Sequence, residues 1–524
     1  MRITQLARNK FNRCSGDEMK DKEFFDIEHL KSNLKGKSVR GGLSTIASEG
    51  LTNVLRIGSM IVMARLLVPE DFGLIAMVTA LTVFAERFKD LGLDMATVQR
   101  REITREQVST LFWINAGVGA FLMFVVAAFS PLISWFYREP RLVLVTVVLS
   151  AGFLFGGLTI QHQALLRRQM SFVRLAGVQL CSVALGAAIG IWCAWEGFGY
   201  WALIWKEIAT AVFSALGTWL VCWWRPGWPT RKAGVRSMML FGRDITGFNI
   251  VYFFSRNIDQ ILLGKLWGAS PLGLYRQAYQ LVAMPMNQLL SSISSVAVPG
   301  MSALQGEPGR YRQYYTRMVS MLAFITMPVA LYIGIFSDSI VRLVLGDKWI
   351  ASAEIVKIFA VGAFIQPVAS TCGIVMVTLG KTQRYFWWGV ASSACLIGAY
   401  VIGAMWGAIG VATAYAVASY VIVVPSLWYS YRDTPVSISA FLNAITSAVI
   451  SSLVTGLILI LFQWKTSFLH DSAEILISLF VAIISYCGIW LLLPGGKDSL
   501  IEYLSYLGIL LKPLRTIVQG GKRD

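Results

Sequence analysis

The residues of this sequence best able to do chemistry are charges set inside apolar runs. From Leu43 to Leu67 the chain is almost entirely apolar, small or hydroxylic, and the deep exceptions are Glu49 and Arg56. A run of about 25 residues at 1.5 Å per residue spans the roughly 30 Å hydrocarbon core of a bilayer. Arg56 then lies near mid-depth, where an uncompensated charge costs about 3 kcal/mol or more. A second arginine, Arg256, holds the matching place in a later run, with Asp259 three residues on. Two guanidinium groups facing a water-filled cavity suit a phosphate or diphosphate, because arginine is always charged and its planar fork matches phosphate oxygens. The structural alternative pairs each charge. Glu86, on the next helix folded back, neutralises Arg56, Lys89 similarly neutralises Glu49, and Asp259 neutralises Arg256 at helical contact spacing. The two readings are compatible. Coupling to protons or sodium would need deep titratable acids, and Glu49, Glu86 and Asp259 are the candidates.

Such charges need long apolar helices to carry them. Of the 524 residues, 56% are hydrophobic and only 14% charged, against about 25% charged in soluble proteins. The apolar residues form fourteen blocks, at about 43–66, 73–93, 108–130, 142–162, 174–195, 200–222, 244–265, 273–298, 317–336, 351–378, 386–405, 408–428, 440–462 and 473–493. Blocks of about 20 predict an all-α, polytopic membrane protein. A transmembrane barrel would alternate polar and apolar at period two instead. Pro285 and Pro299 are expected to kink or end the eighth helix, and Pro367 the tenth.

The net charge of +17 is a topology signal rather than a nucleic-acid signal. With the amino terminus inside, even-numbered connections such as "LLRRQMSFVR" and "WRPGWPTRKAGVR" are cytoplasmic. Of the 46 Lys and Arg, about 31 then fall on the cytoplasmic side, 7 outside and 8 within helices. This asymmetry orients both termini to the cytoplasm. No signal peptide is expected in the polar first 40 residues. The seven Cys form no CxxC pair and the three His stand far apart, so no metal site is expected. There is no phosphate loop, nucleophile elbow or HExxH motif, so the chain reads as a non-enzyme without a cofactor, driven by a gradient or by its substrate's own.

A 200-residue shift aligns "RIGSMIVMARLLVPEDFGL" with "RNIDQILLGKLWGASPLGL" without a gap. Arg56 falls on Arg256, Ile61 on Ile261, Leu66 on Leu266, Gly73 on Gly273, Leu74 on Leu274 and Leu81 on Leu281. Helices 1–6 and 7–12 are therefore two copies of one unit in the same orientation, as in transporters that rock two lobes about a central site. The expected organisation is an extension over 1–42, lobes over 43–236 and 237–432, and two further helices with a cytosolic tail over 433–524.

"ARLLVPEDFGLIAM", "FKDLGLDMATVQRREIT", "QILLGKLWGASPLGLYRQAYQL" and "GYWAL" together resemble the polysaccharide-transporter (Wzx-like) flippases, whose superfamily also holds multidrug and lipid II exporters. The likeness runs from about residue 43 to 490. It implies two six-helix lobes around a cationic cavity and alternating access in the bacterial inner membrane. The implied substrate is an undecaprenyl-diphosphate-linked oligosaccharide, with membrane lipids, a polysaccharide polymerase and export machinery as partners. An ion-coupled multidrug antiporter of the same fold and a non-transporting scaffold for glycan assembly are the alternatives.

Overall fold

The structure, a computed structural model, describes residues 34–89, 92–100, 103–230, 257–466, 471–498 and 500–503. The extension over 1–42 lies mostly outside these residues. So does Arg256, and the side chains of Glu86 and Lys89 are likewise outside the description although their backbone is helical.

The described residues are helical throughout, with no strand among them. The helices are α1 (Leu34–Leu66), α2 (Pro69–Lys89), α3 (Leu93–Gln99), α4 (Arg105–Ala128), α5 (Ser130–Tyr137), α6 (Leu142–Arg168), α7 (Phe172–Trp195) and α8 (Trp201–Val221). They continue with α9 (257–267), α10 (Ala269–Ala303), α11 (Pro308–Ile335), α12 (Ser337–Val344), α13 (Ser352–Thr378), α14 (Thr382–Gly403), α15 (Gly407–Tyr431), α16 (Ile438–Thr466) and α17 (Asp471–Leu492). Thirteen of the fourteen apolar blocks coincide with long helices, and α9 covers the described end of the seventh. Among the described residues, nine helical stretches are long and apolar enough to cross a membrane. The short α3, α5 and α12 lie between the blocks, where hydropathy gave no sign of them. The prolines end nothing: Pro285 and Pro299 both lie inside α10, and Pro367 inside α13. In a membrane-spanning bundle, neighbouring helices satisfy the backbone groups that a proline frees.

Contacts divide the chain into two compact units. The first holds α1, the later part of α2 and α3–α8. The second holds Val68–Met77 and everything described from 257 onward. Within the first, α4 packs on α6, α7 on α8, and α1 on α7. Paired glycines allow the closest approach: a Cβ on Gly119 would stand 2.6 Å from the Phe153 carbonyl oxygen, and one on Gly157 2.5 Å from that of Asn115. Small residues of this kind let helix backbones meet where apolar surface alone gives no drive to associate. The segment after α8 folds back along α4. Ser109 Oγ accepts from Gly227 N at 3.0 Å, Thr110 Oγ1 from Thr230 N at 3.1 Å, and Trp113 Nε1 donates to the Gly227 carbonyl at 2.9 Å. Trp224 is thereby buried against Phe112 and His162.

Within the second unit, α13 is the central element, packed by α10, α11 and α15, and α16 packs on α11 with α17 beside it. A cluster of buried hydroxyls ties α11, α13 and α15 together. Tyr315 bonds Tyr431 at 2.6 Å and Thr371 at 2.8 Å, hydroxyl to hydroxyl. The repeat seen in the sequence is also a contact here. A Cβ on Gly73 would stand 1.8 Å from the Ala269 carbonyl oxygen, and one on Gly273 1.9 Å from that of Pro69. Gly73 and Gly273, like Pro69 and Ala269, are 200 residues apart. Each repeat's glycine therefore seats the first turn of the other repeat's helix. Phe72 packs edge-on against the buried Trp349 beside this crossing, at 5.2 Å.

Candidate functional site

The first unit holds a partly open cavity of about 300 Å³ built from four helices, and Arg56 lines it. Arg56 projects from the middle of α1, whose next turn is tied down by Ser59 Oγ donating to the Arg56 carbonyl at 2.9 Å. Opposite it, α6 contributes Gln163 and Arg167, which share a face because four residues separate them. From α7 come Leu175, Val178, Gln179, Ser182 and Val183, a single stripe at helical spacing, and from α8 Thr210 and Ser214, again four apart. The lining therefore holds two guanidinium groups, two amides, three hydroxyls and an apolar floor, and no carboxylate among the described residues.

The two arginines are held differently. Arg167 Nη1 reaches Asp94 Oδ2 on α3 at 2.9 Å, with the side chains partly exposed. Its neighbour Arg168 points the other way and is buried. Arg168 donates to the carbonyls of Thr97, at 3.1 Å, and of Arg100. A cation on these carbonyls complements the negative end of α3. Thr97 Oγ1 donates to Gln161 Oε1 at 2.8 Å, a second tie between α3 and α6. Thus α3 is clamped to α6, and Asp94 is presented to Arg167. Arg56 has no carboxylate partner among the described residues.

The other described sequence candidates do not line this cavity. Glu49 is exposed on α1, two turns before Arg56, and does not line the cavity. Asp259 belongs to the second unit, where it is buried and accepts from the Tyr275 hydroxyl at 2.8 Å. Tyr275, Tyr279 and Tyr415 surround Phe359 there. The expected pairings of Arg256 with Asp259, Arg56 with Glu86 and Glu49 with Lys89 fall outside the described residues. Sequence reasoning missed Arg167, Gln163 and the α7–α8 stripe. Arg167 stands in "LLRRQMSFVR", which reads as loop charge; its four-residue spacing from Gln163 within an apolar run was the available signal. Among the described residues no cluster of three metal-ligating side chains exists.

The chain is similar in sequence and fold to known proteins. The profile of the family described as "Polysaccharide biosynthesis protein" matches residues 62–354. The chain is 26% identical to the teichuronic acid biosynthesis protein TuaB of Bacillus subtilis over 441 residues, covering 80% of this chain and 88% of TuaB. It is 25% identical to the lipopolysaccharide biosynthesis protein WzxC of Escherichia coli, covering 76% and 84%. It is 22% identical to the succinoglycan biosynthesis transport protein ExoT of Rhizobium meliloti, covering 82% and 87%. In fold, it is similar to the lipid II flippase MurJ in an inward closed conformation, with TM-score 0.68, 15% identity, and 85% and 97% of the two chains covered. An inward-facing multidrug resistance MATE family transporter follows, with TM-score 0.54 and 14% identity over 73% and 95%. With its long apolar helices, this multi-pass membrane protein belongs to the polysaccharide biosynthesis protein family.

Proposed function

We propose that the protein is a flippase that moves undecaprenyl-diphosphate-linked oligosaccharides across the bacterial inner membrane, from the cytoplasmic to the outer face, by alternating access. The observation that carries this reading is the cavity lined by two guanidinium groups, Arg56 and Arg167, and by no carboxylate among the described residues. A cavity within membrane-spanning helices that concentrates positive charge favours an anion. Bidentate guanidinium contacts suit the diphosphate, which the carrier lipid presents next to its sugar. Names of the relatives support the same direction, since WzxC and ExoT serve lipopolysaccharide biosynthesis and succinoglycan transport. The lysine and arginine asymmetry supports cytoplasmic termini.

A multidrug antiporter for cations would need a cavity lined by acids, and among the described residues this lining has none. Asp259 is the candidate for proton or sodium coupling, because it is a buried carboxylate of the second unit. The test is translocation of a labelled polyprenyl diphosphate sugar in liposomes holding the purified protein. Wild-type protein is expected to translocate it, and Arg56→Ala and Arg167→Ala to lose translocation while inserting normally. Transport of cationic drugs alone by the wild-type protein would overturn the reading.

A further inference from the structure

We infer that the cavity has a second, uncharged half that recognises the sugar next to the diphosphate, formed by Gln179 and Ser182 of α7 and Thr210 and Ser214 of α8. The inference rests on the diphosphate reading above and assigns the residues that select among glycans.

The argument turns on which atoms offer protons and which accept them. Ser182 Oγ donates to the Val178 carbonyl at 2.6 Å, and Thr210 Oγ1 donates to the Lys206 carbonyl at 2.8 Å. A carbonyl only accepts, so each hydroxyl spends its single proton on its own helix. What remains for the cavity is oxygen lone pairs. Phosphate oxygens are acceptors as well, and facing two acceptors against them would be repulsive. These hydroxyls therefore select a ligand that donates, and a sugar hydroxyl does so. The glutamine amide at Gln179 offers both a donor and an acceptor, the pairing that a sugar hydroxyl uses in both directions. Leu175 and Val178 supply apolar surface for the ring's carbon face.

Size points the same way. A cavity of about 300 Å³ is at the small end of ligand sites. It holds a phosphate-bearing head with its first sugar, and leaves the rest of an oligosaccharide outside. Selection therefore falls on the sugar nearest the lipid, and the distal sugars go unread at this site. The wall is also rigid. A Cβ on Gly186 would stand 2.9 Å from the Lys206 carbonyl oxygen, so α7 and α8 are in backbone-close contact one turn from Thr210.

The experiment measures binding of two probes to the purified full-length protein: a short-chain polyprenyl diphosphate, and the same lipid carrying one hexose. Wild-type protein should bind the sugar-bearing probe more tightly. Ser182→Ala, Thr210→Val and Gln179→Leu should each weaken that probe by roughly five- to tenfold, the size of one lost neutral hydrogen bond. The same variants should bind the sugar-free probe as wild type does, which also reports that they fold. Arg56→Ala should weaken both probes together. Equal binding of the two probes by wild-type protein, or variants that weaken both equally, would overturn the sugar half and leave the diphosphate reading standing. Wild-type protein that binds neither probe would overturn both.

Discussion

Replacing Gly73 by alanine tests whether the crossing of the two repeats is as close as its geometry requires. The added Cβ would stand 1.8 Å from the Ala269 carbonyl oxygen, 2.4 Å from its carbonyl carbon and 2.8 Å from its Cα. Non-bonded carbon contacts are comfortable near 3.5 Å, so the two helix starts must move apart by roughly 1.5 Å. All three atoms are backbone, so no side chain can swing away to absorb the change. Overpacking of this kind costs about 1–3 kcal/mol, which lowers the population of the touching arrangement by roughly 5- to 150-fold. Alanine favours helix over glycine by up to about 1 kcal/mol, so the loss comes from the contact and not from α2 itself. The assay is disulfide formation between cysteines placed at Glu70 and Ser270, beside the crossing, in a background lacking the native cysteines. Adding Gly73→Ala should slow crosslinking within that range, and Gly273→Ala should do the same from the other side. The double alanine variant should cost less than the sum, because both changes open one crossing. Gly58→Ala is the control, since a Cβ there meets nothing within 4 Å. A Gly73→Ala protein that crosslinks as fast as the Gly58→Ala control would refute the reasoning.

Four further outcomes are expected. Arg56→Ala should abolish export of lipid-linked glycan at normal protein level and Arg56→Lys should restore it only in part, because a point charge lacks the bidentate fork; a functional, stably expressed Arg56→Ala, Glu86→Gln protein would show that Arg56 only neutralises Glu86. Asp94→Asn should alter affinity for a polyprenyl diphosphate without unfolding the protein, because it frees a partly exposed Arg167; unchanged affinity would remove Arg167 from the site. Trp224→Ala should destabilise the first unit by about 3–5 kcal/mol, as for other buried aromatic truncations, read as a lower thermal midpoint in detergent; a shift near zero would mean that the segment after α8 does not seal the unit. Reporters fused after Lys348 and after Lys465 should appear periplasmic and one after Arg312 cytoplasmic, and a cytoplasmic reporter at Lys348 would break the helix count.

Much of this protein was legible in one dimension because a bilayer imposes a rule on every residue that crosses it. Each backbone polar group must be satisfied within its own helix, so length and hydropathy alone gave the all-α class and helix positions close to those seen. The duplication was legible for the same reason. A 200-residue shift superposes two hairpins, and Gly73 and Gly273 were matched before anything placed them in space. Arg56 stood out because a mid-run charge is costly in hydrocarbon. What an apolar pattern does not encode is which faces meet. Only the tertiary structure put Gly73 and Gly273 at one crossing, where the absence of two side chains lets backbones touch. Only it turned Arg167 from a topology charge into the second guanidinium of a cavity, because helix packing and not sequence proximity makes α1 and α6 line one cavity. The hydroxyls of Ser182 and Thr210 are the sharpest case. By composition they are unremarkable helix residues, and that their protons are turned to their own helix carbonyls while they line a cavity appears only in three dimensions.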